Sequence, residues 1–240
     1  MKNNILYILG ILIFFTSSCK NEIEKPKVSY DKNSKKELVQ NVDTNKIEVS
    51  DLPIQFTGTN YLIFPIGNLS VTDNSKSRYE WSGKGSNQSF NISNNMDNEI
   101  TGYLQNLKFQ NIEKDTMITL TDKPMLIQSV TYLNSISSKT PQQILLYILA
   151  DTDSNSDGKL DTNDIRSLYL SDISGSRFTK ISAELQEVLD WKIIDSKNRL
   201  YFRVIDDTNK NGKFDKDDKV HYNLVNLLEK EWKVIEFKPV

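Results

Sequence analysis

The sequence predicts a mainly β fold built from antiparallel repeats, and three observations point to it. Stretches near the C-terminus alternate apolar and polar residues with period two, the pattern of a half-buried strand. Two Asp-rich segments, Asp153 to Asp164 and Asp207 to Asp218, recur 54 residues apart with matching flanks. Only 9 Gly and 6 Pro serve 240 residues, so most turns must be built from Asn and Asp, which tolerate left-handed backbone.

In chain order, Lys2 precedes an apolar run from Ile5 to Phe15, and small residues then lead to Cys19. The run is too short to span a bilayer, which needs about 20 apolar residues, and has the layout of an export signal over residues 1–18. Cys19 is the only cysteine, which excludes an internal disulfide and any Cys-based metal cluster. A lone Cys directly after Thr16-Ser17-Ser18 resembles the signal of bacterial lipoproteins, although Leu is absent three residues before it. The resemblance implies lipidation at Cys19 and a membrane partner reached through that anchor. Glu22 and Glu24 are similar to the surface-export signals of Bacteroidota-type lipoproteins, which implies the outer membrane, on its periplasmic or cell-surface face.

Residues 19–50 are rich in Lys, Glu, Asn and Asp, and are read as a lipidated Cys with a flexible tether. The remaining residues, 51–240, suit one β-rich domain. Between Asp51 and Met96 the text is less regular. "NYLIFPIGNLSV" reads as strand with Pro65-Ile66-Gly67 interrupting it, and Gly83-Lys84-Gly85 reads as a turn because the rest of a phosphate-binding fingerprint is missing. Trp81, Trp191 and Trp232 are expected to pack in the core, a sugar-stacking platform being the alternative.

The Asp-rich segments carry the chemistry. "DSNSDGKLDTND" offers Asp153, Asn155, Asp157, the carbonyl of Lys159, Asp161 and Asp164 at positions 1, 3, 5, 7, 9 and 12, with Gly158 at the sharp turn. "DTNKNGKFDKDD" offers Asp207, Asn209, Asn211, the carbonyl of Lys213, Asp215 and Asp218, with Gly212 at the turn. This is the donor spacing of an EF-hand-type loop, in which a hard cation collects six to eight oxygens, so calcium is the expected metal. Leu160 and Phe214, at position 8, are expected to plug each loop onto the core. Asn211 and the lysines of the second loop should weaken its binding.

The flanks decide between helices and strands. "LYILADTD" aligns with "LYFRVIDD" and "RSLYLSDI" with "VHYNLVNL", so the repeats span about 144–173 and 198–227. Leu200, Phe202 and Val204 share one face, and Val220, Tyr222 and Leu224 alternate with His221, Asn223 and Val225. Each loop is therefore expected to join two strands of a hairpin rather than two helices. A strand–turn–strand unit cannot bury its apolar face alone, so the repeats should stack.

From Leu168, Tyr169 and Asp172 through the Ser174-Gly175 turn, Trp191, the Asp195 to Asn198 turn and the strand Leu200 to Ile205, the order is similar to a blade of TolB-like β-propellers. The likeness spans about residues 129–228. It implies an incomplete or small β-propeller, with a β-sandwich or a stacked meander as alternatives.

Function class follows by elimination. With 30 basic and 32 acidic residues the chain has no basic field, so nucleic acid is not expected as a partner. The only His is His221, no GxSxG elbow occurs, and the carboxylates are accounted for as metal ligands, so catalysis is not expected. The expectation is a calcium-binding envelope lipoprotein that serves as a binding or scaffold module for an unknown protein or glycan. A dockerin-like assembly module, with helices after each loop, and a calcium-dependent extracellular hydrolase are the alternatives.

Overall fold

The computed structural model describes residues 26–30, 46–71, 79–80 and 91–240. Cys19, the apolar run before it, Trp81 and Gly83 to Gly85 lie outside these residues. Among the described residues no helix is long and apolar enough to cross a membrane.

The described chain is mainly β and antiparallel, in three sheets. The first contains β1 (Lys46–Ser50), β2 (Tyr61–Val71), β6 (Asn106–Asn111) and β7 (Met117–Thr119) in that spatial order, with β3 (Tyr79–Glu80) paired to β2. The second runs β11 (Thr179–Lys180), β10 (Ser167–Asp172), β9 (Ile144–Ala150), β8 (Leu126–Tyr132), β5 (Glu99–Leu104), β4 (Ser93–Met96). The third is an uninterrupted meander of β12 (Gln186–Ile194), β13 (Arg199–Asp206), β14 (Lys219–Asn226) and β15 (Val234–Phe237).

The sheets pack face to face, and β9 shows why. Its sequence, Ile144 to Ala150, is apolar throughout because both of its faces are covered. Leu145, Tyr147 and Leu149 enter a core shared with Ile63 of β2 and Leu107 and Phe109 of β6. Ile144 and Leu146 enter a second core shared with Leu200, Phe202 and Val204 of β13 and Val225 of β14. The two repeats thus bury each other: β9–β10 and β13–β14 are hairpins in adjacent sheets that meet across this second core. Their registers differ by one residue, since Ser167 faces Leu149 whereas the aligned His221 faces Val204 rather than Arg203.

Buried side-chain polar atoms among the described residues are paired, apart from Trp232 Nε1, which has no hydrogen-bond partner. The Tyr147 hydroxyl lies 2.6 Å from Ser171 Oγ, and burial pushes its ionisation well above the usual phenol range. Trp232 belongs to the second core, with the Arg177 guanidinium 4.1 Å from its ring centroid, and Trp191 packs at that core's edge. His221 spans three strands: its Nδ1 is 3.0 Å from Glu236 Oε1 and its Nε2 3.1 Å from Asp206 Oδ2.

Two expectations are corrected, and one alternative falls. Pro65 does not interrupt the chain, since β2 runs unbroken from Tyr61 to Val71. The Pro65 carbonyl accepts from Asp51 N at 3.0 Å, just past the end of β1, so its missing N–H falls outside that ladder. The fold also begins earlier than residue 51. Lys46–Ser50 pairs with β2 as β1, and residues 26–30 lie against the Asp-rich loops, because even a charged segment can add a strand to a ladder or bury one side chain such as Val28. Finally, strands follow the loops. The helices required by a dockerin-like module are replaced by β10 and β14, whose period-two faces fill a sheet.

Candidate functional site

The Asp-rich segments close the ends of the two stacked hairpins. Residues 207–218 join Asp206 to Lys219, a facing pair that ends the β13–β14 ladder. The first loop lies between β9 and β10 in the same way.

Both loops fold through one set of local hydrogen bonds. In the first, Asp153 Oδ1 accepts from Asp157 N at 3.1 Å and Oδ2 from Gly158 N at 2.8 Å. Asn155 Oδ1 accepts from Asp157 N, Asp157 Oδ1 from Lys159 N, and Asp161 Oδ1 from Asn163 N, at 2.7–3.0 Å. Asp164 closes the circuit, its Oδ2 taking Asp161 N at 2.9 Å and its Oδ1 taking Ser154 N at 2.8 Å. The second loop repeats each bond. Asp207 accepts from Asn211 N (3.0 Å) and Gly212 N (2.6 Å), Asn209 from Asn211 N, Asn211 from Lys213 N and Asp215 from Asp217 N. Asp218 accepts from Asp215 N (2.8 Å) and Thr208 N (3.0 Å).

The backbone matches too. Position 4 is left-handed in both loops, at Ser156 (φ 60°) and Lys210 (φ 57°), and the glycines at position 6 follow at φ 86° and 82°. A Cβ at φ near +80° is strained, which is why glycine stands there. Such bonds hold the side-chain oxygens of positions 1, 3, 5, 9 and 12 in fixed directions while each keeps lone pairs for another partner. Leu160 and Phe214, expected to plug the loops, are half-buried and belong to neither core.

The donor chemistry fits a hard cation, being all oxygen and anionic. Asp153, Asn155, Asp157, Asp161 and Asp164 with the Lys159 carbonyl would hold one ion. Asp207, Asn209, Asn211, Asp215 and Asp218 with the Lys213 carbonyl would hold the other. Among the described residues no group of three or more His, Cys, Asp or Glu side chains is already drawn together around a metal position. Asp164 is fully buried, and burial raises its pKa above the ordinary carboxylate value against the pull of the backbone N–H groups it accepts from Ser154 and Asp161. In the second loop the Asn211 amide donates to Asp215 Oδ2 at 3.2 Å, occupying an oxygen that the first loop leaves to its carboxylates.

Two features at the loops were not legible in sequence. Residues 26–30 cross from one loop to the other. Lys27 N and Val28 N donate to Gly212 O at 2.7 and 3.3 Å, and Ser29 N donates to Ser154 O at 2.7 Å. The only local signal was a Val inside a charged run. The second feature is Glu187, buried in β12, which accepts from Arg166 N (2.8 Å), Arg166 Nε (2.6 Å) and Lys27 Nζ (3.3 Å) and so ties the first loop's exit to the third sheet. Beside it a cleft of about 580 Å³ is lined by Lys27, Asn94, Thr101, Tyr103, Gln128 and Arg166 among others.

No protein-family model matches the chain, and no curated relative matches it. Among solved structures, an Agrobacterium tumefaciens protein described as TolB is similar to it, at 11% identity over 79% of this chain and 82% of that one. The TM-score is 0.22, too low to carry weight for fold or function.

Proposed function

We propose that this chain is a lipid-anchored cell-envelope protein whose β domain binds two calcium ions through its paired loops and acts as a non-catalytic binding or scaffold module. The observation that carries the calcium reading is the repetition of one hydrogen-bond circuit in two loops of different sequence, each placing an all-oxygen donor set at EF-hand spacing. An acidic turn with no ligand to hold has no need to repeat that circuit twice. Calcium neutralises the crowded carboxylates and fixes the ends of two hairpins that meet across one core, so its role is structural. Extracellular calcium modules bind at about 10⁻⁴–10⁻³ M, and such loops stay filled in a calcium-rich exterior.

The anchor rests on the Cys19 boundary, and the near-balanced charge supports a partner other than nucleic acid. The polar cleft beside the first loop is the surface offered to a protein or glycan. Isothermal titration with calcium tests the metal reading, which fails if no heat of binding appears or if Asp153→Ala and Asp207→Ala leave it unchanged. Incorporation of labelled palmitate that disappears in Cys19→Ser tests the anchor.

A further inference from the structure

We infer that Pro26–Tyr30 is a calcium-dependent strap: it docks across both loops when they are filled and couples the two ions to one another. This rests on the calcium reading above and adds a moving part to it.

The strap's acceptors are residues that the proposed ligands hold. Gly212 presents its carbonyl to Lys27 N and Val28 N, while its own N–H donates to Asp207 Oδ2 at 2.6 Å. Ser154 presents its carbonyl to Ser29 N and its Oγ to the Lys27 carbonyl at 2.7 Å, while its N–H donates to Asp164 Oδ1 at 2.8 Å. The Tyr30 hydroxyl reaches the carbonyl of Asp207 itself at 3.5 Å, and burial beside that residue pushes its pKa up to about 12. Each of these strap contacts is therefore made to Asp207 itself or to a residue whose N–H a proposed ligand carboxylate accepts. An ion in either loop orders part of the strap's seat and leaves less ordering to be done at the other, which is positive coupling between the sites.

The fit is close. A Cβ at Gly212 would come within 2.7 Å of Val28 O and 2.8 Å of Pro26 Cβ, and Val28 is 2% exposed. Without calcium the carboxylates of each loop repel one another and the two carbonyls lose their fixed direction, which loosens the segment's seat on the loops while buried Val28 and the part-exposed Lys27 Nζ–Glu187 pair at 3.3 Å still hold it to the domain.

The test uses the full chain in detergent with calcium chloride as the probe. It reads calcium binding by titration calorimetry and, separately, amide exchange at Lys27, Val28 and Ser29. We expect exchange at these amides to slow on adding calcium, and Val28→Asp, which touches neither donor set, to weaken calcium binding about 5-fold or more, because coupling is reciprocal. Ser29→Pro, which deletes the N–H to Ser154, should do the same by a different route, with circular dichroism confirming that both variants keep the fold. If calcium binds but neither the strap amides nor the variants' affinities respond, the strap is a static part of the fold; this inference is overturned and the calcium reading stands. If calcium does not bind, that reading fails and takes the strap with it.

Discussion

Replacing Asp207 with Ala removes one carboxylate and separates two contributions that the structure allows to be sized. Asp207 is 5% exposed and accepts two backbone N–H groups, of which Gly212 N is buried and Asn211 N faces solvent. In EDTA the variant leaves Gly212 N without its partner, which costs about 1–3 kcal/mol, while Asn211 N recovers a water. In calcium it also loses an ion. At 10 mM calcium, about a 10- to 100-fold excess over a Kd of about 10⁻³–10⁻⁴ M, one ion stabilises the folded state by about 1.4–2.7 kcal/mol, and at about 2–4 °C per kcal/mol for a domain of this size the calcium-dependent rise in Tm is about 3–11 °C per site. Thermal unfolding of wild type, Asp153→Ala and Asp207→Ala, each in EDTA and in millimolar calcium, reads both effects. Each variant should melt lower in EDTA and show a smaller calcium-dependent rise than wild type. A wild-type Tm that is the same in both conditions refutes the metal reading outright. A full rise retained in both variants refutes the assignment of the donors.

Other outcomes follow from particular contacts. Calcium titration of Asp153→Ala, which leaves the second loop alone, should give a weaker site than Asp207→Ala leaves in the first, because Asn211 replaces a carboxylate and its amide takes an oxygen of Asp215. Tyr147→Phe should cost about 1 kcal/mol in urea denaturation, since it removes one buried hydrogen bond while Ser171 Oγ keeps its bond to the Asp172 carbonyl. Phe202→Ala and Phe109→Ala, one in each core, should each cost about 3–5 kcal/mol and shift one common transition, because β9 belongs to both cores. Acid should destabilise the third sheet. The His221 hydrogen bond holds Glu236 below the usual range, and at Asp206 bonds from His221 and Thr208 outweigh the opposing effect of burial. Depressed folded-state pKa values stabilise above the unfolded values, near 4, and that contribution is lost as pH falls through the folded ones. Melting followed from pH 6 to pH 2 should therefore fall less steeply in His221→Gln than in wild type.

How far the sequence could be read depended on whether a feature was local. Donor spacing, left-handed glycines and the period-two faces of β13 and β14 are set by residues a few positions apart, so the loops, their strand flanks, the antiparallel β class and the stacking of the repeats were all legible. β9 was legible as a central strand only through its alignment with β13, since an apolar run has no period of its own. Pro65 misled because its effect depends on which neighbour its nitrogen faces, and β1 ends beside it. The strap could not be read at all: residues 26–30 meet Ser154 and Gly212 across more than 120 positions of chain, and their composition is that of a solvated segment.

The sequence by itself thus determined the local chemistry of this protein: two all-oxygen donor sets, the strands that carry them, and a charge balance without a basic field. Tertiary structure alone decided how these parts meet, because side-chain periodicity says which face is buried but not what buries it. The placement of both loops under one N-terminal segment, the sharing of β9 between two cores and the burial of Asp164 and Glu187 arise from contacts between sheets, and those contacts exist only once the chain has closed on itself.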